Sequence, residues 1–436
     1  MAEIRPFRGV HYNRSLIKDG AKVVCPPYDI INPQQQQELY RRSEYNFIRI
    51  EFGQELPQDT ATDNKYTRSA ATLDDWLKRG ILEIDETPSI YLHDHHFSYQ
   101  GRKFKRCSLI ASVRAEEWNK GVIRPHEGTL TEPRGDRLSL LRALRANTSP
   151  ILALFEDRGE RISSLSANLE RSRPLISFED VNGEKHTVRA ITDSEVVSEI
   201  TASLAEQPLY IADGHHRYES ALAYRRERLA VSSSDSGNKA FNFVMMELVD
   251  FSDPGLLILP PYRLVRGIPK PVLDGLMTKL KILFEIEELP LSLPDVWEQA
   301  DALLNQSGEN RLILFGPDRE NLFLLQLRPS ADSRQMMPYF HSELYKKLDV
   351  SIIDHIILEN LLALDSEKEK TSLAYSYDRT ETLNRVLVQE YQLAFLFRPI
   401  RVETIKAIAD TGDKMPRKST YFYPKLPSGL ILHLLS

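Results

Sequence analysis

Asp213-Gly214-His215-His216-Arg217 crowds a carboxylate, two imidazoles and a guanidinium around one glycine. Such a set suits an anion with phosphate geometry. Arginine grips two phosphate oxygens through parallel hydrogen bonds, imidazole N–H groups add donors, and glycine lets the backbone come close. Asp213 could hold a histidine tautomer or bind a magnesium ion. The flanking residues say how the set is positioned. Leu209-Tyr210-Ile211-Ala212 reads as a strand, and His215 to Leu229 as an amphipathic helix. The first turn of a helix has N–H groups with no intrahelical partner and the positive end of the macrodipole, so this junction favours an anion. The same residues also read as an ordinary strand–turn–helix with surface or capping groups, since none is diagnostic alone.

Further candidates lie elsewhere. Arg134 and Arg137 fall at the start of a predicted helix, Asp136 to Asn147, where cations oppose the dipole and an anionic ligand would explain them. Asp29, after Pro26-Pro27-Tyr28, is a second-choice catalytic carboxylate or an Asx-type turn. In His93-Asp94-His95-His96, the residues His93 and His95 would share one face of a strand and could supply two metal ligands. The sequence offers them no matched third or fourth ligand, so no metal-ligand set is assigned.

The elements that must carry these residues alternate. Helices are predicted after Asn32-Pro33, over Tyr66–Leu77 and Asp193–Glu206, with strands at Ile90–Leu92, Phe97–Tyr99, Cys107–Val113, Pro150–Phe155 and Phe241–Leu248. Ser232 to Asn238 reads as a loop. Beyond residue 265, helices at Pro271–Leu280, Ser292–Asn305, Ile352–Leu364 and Thr380–Glu390 mix with strands at Arg311–Phe315, Leu322–Leu327 and Leu393–Leu396. This ordering indicates an α/β fold with mixed α+β elaborations. Three regions are expected: 1–120, 121–265 with the phosphate motif, and 266–436. The 436 residues, 42% hydrophobic and 27% charged, suffice for a buried core. Only Cys25 and Cys107 are present, which excludes a disulfide framework or a Cys-rich zinc site. The N-terminus has no signal-peptide pattern and no stretch approaches the ~20 apolar residues of a membrane span, so a cytoplasmic location is expected. The net charge of −6, without an evident basic recognition helix, makes DNA an unlikely partner.

Asp213 to Ala221 resembles the Gly-x-x-Arg signature of the ParB/sulfiredoxin superfamily, and more closely the Asp-Gly-His-x-Arg motif of free serine kinases. Phe7 to Asn13, Pro26 to Asp29, Arg124 to Thr129, Asp136-Arg137 and Lys418 to Lys425 resemble one branch of that group. This branch is a widespread bacterial and archaeal family long catalogued as a domain of unknown function. The resemblance implies a ParB/sulfiredoxin-like core with additional N- and C-terminal α/β layers, and a nucleotide-linked activity. Sulfinic-acid reduction is not implied, because His215 stands where sulfiredoxin has its cysteine. Glu127 resembles the Pro-x-Glu glutamate thought to activate the substrate hydroxyl in free serine kinases. Leu259-Pro260-Pro261-Tyr262-Arg263 departs from the Thr-His-Arg stretch usual in the family, with Tyr262 in place of the histidine.

The expectation is therefore a nucleotide-dependent kinase of a small hydroxylated metabolite, an amino acid such as serine being the first choice. Glu127, Asp213 and His215 would be catalytic. Gly214, His215, His216, Arg217 and Arg137 would bind ATP or ADP, with Mg²⁺ on the phosphates. The alternative is a nucleotide-binding sensor or scaffold without chemistry. Neither the acceptor nor the oligomeric state is legible.

Overall fold

Gln100 and Gly101, with φ of 48° and 75°, close a two-residue turn between two long strands, Ile90–Tyr99 and Arg102–Arg114. The sequence pattern gives two short strands, Ile90–Leu92 and Phe97–Tyr99, on either side of His93 to His96. Instead those residues lie within one continuous strand, because polar partners bury them inside the protein. This hairpin is the centre of a mixed α/β architecture, as the element pattern predicts.

The computed structural model describes residues 2–128, 131–158, 160–169, 172–231, 237–306, 310–328 and 331–435. Residues 232–236 of the predicted Ser/Gly/Asp loop, and Thr129, lie outside the described residues. The chain packs as two compact units, neither continuous in sequence. The first comprises residues 1–125, 129–257 and 422–436, and the second residues 126–128 and 258–421.

The largest sheet of the first unit has nine strands: β1 (Ile4–Arg5), β2 (Ile90–Tyr99), β3 (Arg102–Arg114), β4 (Ile123–Arg124), β5 (Ile151–Phe155), β6 (Ile176–Glu179), β7 (Lys185–Ile191), β8 (Leu209–Asp213) and β9 (Phe243–Asp250). They lie in the order β4-β8-β5-β9-β3-β2-β7-β6, with β1 added beside β3. The β8/β4 and β9/β5 pairs are parallel, the others antiparallel. Strands β5 and β9 are buried along nearly their whole length. One core gathers Leu92, Leu109, Ala153, Phe155, Ile211, Met246 and Leu248 of the sheet with Ile200, Leu204, Tyr218 and Leu222 of its helices. Its helices of ten or more residues are α1 (Pro33–Arg42), α2 (Lys65–Lys78), α3 (Thr131–Leu144), α4 (Ser194–Ala205) and α5 (His215–Val231). Asn32 and Gln35 form a reciprocal cap on α1, with Pro33 at its first position, as the Asn-Pro pair predicts.

In the second unit six strands form an antiparallel sheet: β10 (Tyr262–Val265), β11 (Phe284–Pro290), β12 (Arg311–Phe315), β13 (Asn321–Leu327), β14 (Leu373–Ser376) and β15 (Leu393–Leu396). Their order is β11-β13-β12-β15-β10-β14. The predicted helix after Ile352 runs as a π-helix to Leu361, a rare winding that is frequent at functional sites. Among the described residues no helix is long and apolar enough to cross a membrane.

Candidate functional site

Strand β8 delivers Asp213 to the sheet's end, and Gly214 turns the chain into α5 with φ of +92°, a conformation that L side chains rarely adopt. A Cβ added there would also lie 2.9–3.0 Å from the Arg217 guanidinium. Asp213 accepts a hydrogen bond from Arg217 Nη2 at 2.9 Å and another from Lys425 Nζ. Arg217 Nη1 donates to the Pro150 carbonyl. Burial pushes the Asp213 carboxyl up, but Lys425 and Arg217 outweigh it and hold the group well below the usual carboxylate range, with a smaller pull from His215. Arg217 and Lys425 bring two positive charges to one negative, so this turn keeps a net positive charge at the start of a 17-residue helix. His215 is buried and His216 half-buried in the same first turn. Gly214→Ala is expected to cost about 1–3 kcal/mol in unfolding free energy through the strained φ. It should also displace Arg217, which a crystal structure of the variant checks.

Arg137 shares a cavity with Arg217. Glu51, Leu140, Thr148, Ser149 and Ser220 are among the residues of its wall. The helix carrying Arg137 begins at Thr131, five residues before the predicted start, so Arg137 sits in its second turn and Arg134 at the end of its first. Protein anions meet both: Arg134 lies 3.5 Å from Glu219, and Arg137 pairs with Asp136 and with Glu51 at 3.4 Å. Arg137 also stacks 4.0 Å from the centre of the Tyr28 ring. Burial, partly offset by Arg137, pushes the Tyr28 hydroxyl up to about 12. Pro27 lines a second small cavity with Asp213, Arg217 and Lys425. Four of the sequence blocks, 26–29, 136–137, 213–217 and 418–425, thus send residues to one place in the first unit. Lys425 and Glu51 are participants to which sequence reasoning gave no role. Lys425 had a signal, since it ends the last block; Glu51 had none. Asp29 is exposed.

These cavities are narrow, about 10 and 40 Å³. That is room for a water or so in each, and a bound phosphate would rest on the turn rather than inside it.

Asp136 makes the cluster acid-sensitive. It accepts from Tyr66 Oη at 2.8 Å and pairs with Lys65 at 2.8 Å and with Arg137. Burial raises its carboxyl, yet Arg137 and Lys65 win and bring it down to about 2. A folded-state value below the unfolded one stabilises above the ordinary carboxylate range, and that contribution is lost as pH falls. The window runs from about pH 4 down to about pH 2, with a size of roughly 2 kcal/mol. Asp136→Asn should lower the melting temperature at neutral pH and flatten the acid limb of its pH profile. An acid limb identical to wild type contradicts this assignment.

Glu127 belongs to the second unit, unlike the other predicted site residues. Its Oε1 accepts the Ser419 backbone N–H at 2.8 Å, and a parallel bridge pairs it with Met415. Next to it, His126 Nε2 lies 3.0 Å from Thr420 Oγ1. His126 and Glu127 of block 124–129 thus meet Ser419 and Thr420 of block 418–425 within the second unit. Arg263 is fully buried, pairs with Asp354 at 3.1 Å, and donates to the carbonyls of Pro261 and Lys418. Tyr262 is buried against Phe397. A cavity of about 700 Å³ in this unit is lined by Asp354, His355, Glu359, Glu369, Tyr375 and Arg417, among others. Its size suits a small metabolite.

A sequence profile described as "Protein of unknown function (DUF1015)" matches residues 4–351. No curated protein matches the chain. Among solved structures, a conserved hypothetical protein from Pyrococcus furiosus is similar with a TM-score of 0.36 at 14% identity, over 75% of this chain and 95% of that one. A free serine kinase mutant in complex with ADP gives 0.36 at 13%, over 74% and 92%. SbnI with a C-terminal truncation, from Staphylococcus aureus, gives 0.37 at 11%, over 74% and 87%.

Proposed function

The chain belongs to the DUF1015 family of unknown function, and from its own site we propose that it is a nucleotide-dependent kinase of a small hydroxylated metabolite, with a free amino acid such as serine as first choice. The observation that carries this reading is the net positive turn at Asp213–Arg217, where Arg217 and Lys425 both pair with Asp213 at the start of α5. In this reading the core is of the ParB/sulfiredoxin type. Gly214, His215, His216 and Arg217 cradle the phosphates of ATP or ADP, and Arg137 borders them. Asp213 orients Arg217 and Lys425. Glu127 accepts the proton of the acceptor hydroxyl as that oxygen bonds to phosphorus and the nucleotide leaves.

Magnesium fits this cluster poorly as a ligand of Asp213, since Lys425 holds Oδ1 and Arg217 holds Oδ2. The ion is therefore assigned to the nucleotide, with no protein ligand. Titrating the wild-type chain with ATP, ADP and CTP, with and without Mg²⁺, tests the binding. Screening amino acids for nucleotide-dependent phosphorylation tests the transfer. A well-folded chain that binds no nucleotide sinks the proposal. The small cavities beside Arg217 favour one second reading, a nucleotide-sensing protein without chemistry. Saturable binding with no transfer to any acceptor would select it.

A further inference from the structure

Behind the hairpin, one face of β2, β3, β7 and β9 carries a polar layer where a sheet normally packs apolar side chains. His93, His95 and His186 are wholly inaccessible, as are Arg106 and Glu247, and Glu184 is nearly so. Glu247 Oε1 lies 3.0 Å from His93 Nδ1 and also accepts from the Ser108 hydroxyl. His93 Nε2 lies 3.2 Å from His186 Nδ1. This chain of contacts links both tautomers. The carboxylate accepts a hydrogen bond from the Nδ1–H of His93, whose Nε2 in turn accepts one from the Nδ1–H of His186. That leaves His186 Nε2 as a bare lone pair, and among the described residues it has no hydrogen-bond partner. A buried polar atom left unpaired calls for a missing partner.

The partners nearby are those a metal ion needs. The His95 and His186 rings lie 4.2 Å apart between centres, and His95 Nε2 is 2.7 Å from Glu184 Oε2. One donor atom from each of His95, Glu184 and His186 falls within 4.8 Å of the other two. We propose that His95, Glu184 and His186 bind one divalent transition-metal ion of the zinc class, with His93 and Glu247 as the outer pair that aims His186. Two imidazoles and one carboxylate are a ligand set that zinc takes with its fourth position open. A ligating histidine is usually oriented by a partner on its other nitrogen, which is the part His93 plays for His186.

Arg106 is the opposing term. It donates to His95 Nδ1 at 3.1 Å, so His95 now carries its proton on Nε2 and shares it with Glu184. When the ion takes the Nε2 position, that proton moves to Nδ1 and the ring stays neutral. The Arg106 donor then turns wholly to the Pro424 carbonyl, which it already reaches at 3.1 Å.

The site is independent of the kinase reading and its test needs no activity. The full chain, stripped with a chelator, is titrated with Co²⁺ and followed by visible absorption, with Zn²⁺ as competitor. One equivalent with ligand-field bands that zinc abolishes is the expected result. His186→Ala should lose stoichiometric binding, and His93→Ala should weaken it by about 10–100-fold. Glu184→Gln, closest to the surface and nearly isosteric, serves if the histidine variants do not fold. A wild-type chain that binds no stoichiometric cobalt or zinc overturns the proposal, as does binding that all three variants retain.

Discussion

Replacing Arg217 with alanine is expected to weaken nucleotide binding by about 100-fold, near the upper end for a lost charge-assisted hydrogen-bond donor. Calorimetric titration of folded wild-type and variant chains with ATP or ADP measures it. The fold should survive, because Lys425 still pairs with Asp213 and the Gly214 turn is untouched. Arg217→Lys separates charge from geometry. A lysine restores the positive charge but not the two-pronged grip, so an affinity between wild type and alanine is expected. Equal affinity for wild type and Arg217→Ala would move the phosphate elsewhere. It would leave Arg217 as a strut between Asp213 and the Pro150 carbonyl, contacts that it makes already.

Why this turn was legible in the sequence, while much around it was not, has a physical basis. Strand, glycine turn and helix are local, and their residues follow one another, so periodicity and the positive-φ requirement of Gly214 reveal them directly. Lys425 lies 212 positions from Asp213, and no local rule links the two. Arg137 shows the opposite difficulty. Its charge suggested an anionic ligand at a helix start, but the helix begins earlier and Asp136 and Glu51 meet the charge.

The histidine run misled in a similar way. His93 to His96 has the polarity of a turn, and the sequence offered no third ligand. Pairing β2 with β7 places His186 opposite His95 and brings Glu184 to the same point. Strand register supplies what spacing along the chain could not. The strands missed in the second unit are a further case. Phe284–Pro290 forms an edge with its glutamates turned outward, and charge on an edge strand blocks further pairing while hiding the strand's alternation.

Glu127 gives the sharpest division between the functional and the structural reading of a single side chain. If it accepts the acceptor's proton, Glu127→Gln should slow phosphate transfer by about 10²–10⁴-fold, the usual worth of a positioned base. Glutamine retains a carbonyl oxygen for the Ser419 N–H, so folding and nucleotide affinity should stay near wild type. The loss should fall on kcat, with little change in KM, as for a group that acts mainly in the transition state. A structural anchor behaves otherwise. Glu127→Gln would then be silent, whereas Glu127→Ala would cost about 1 kcal/mol of stability by leaving the Ser419 N–H without its acceptor. Unfolding curves for both variants, set beside their transfer rates, therefore decide between a base and a strut, and a silent glutamine variant removes Glu127 from the chemistry.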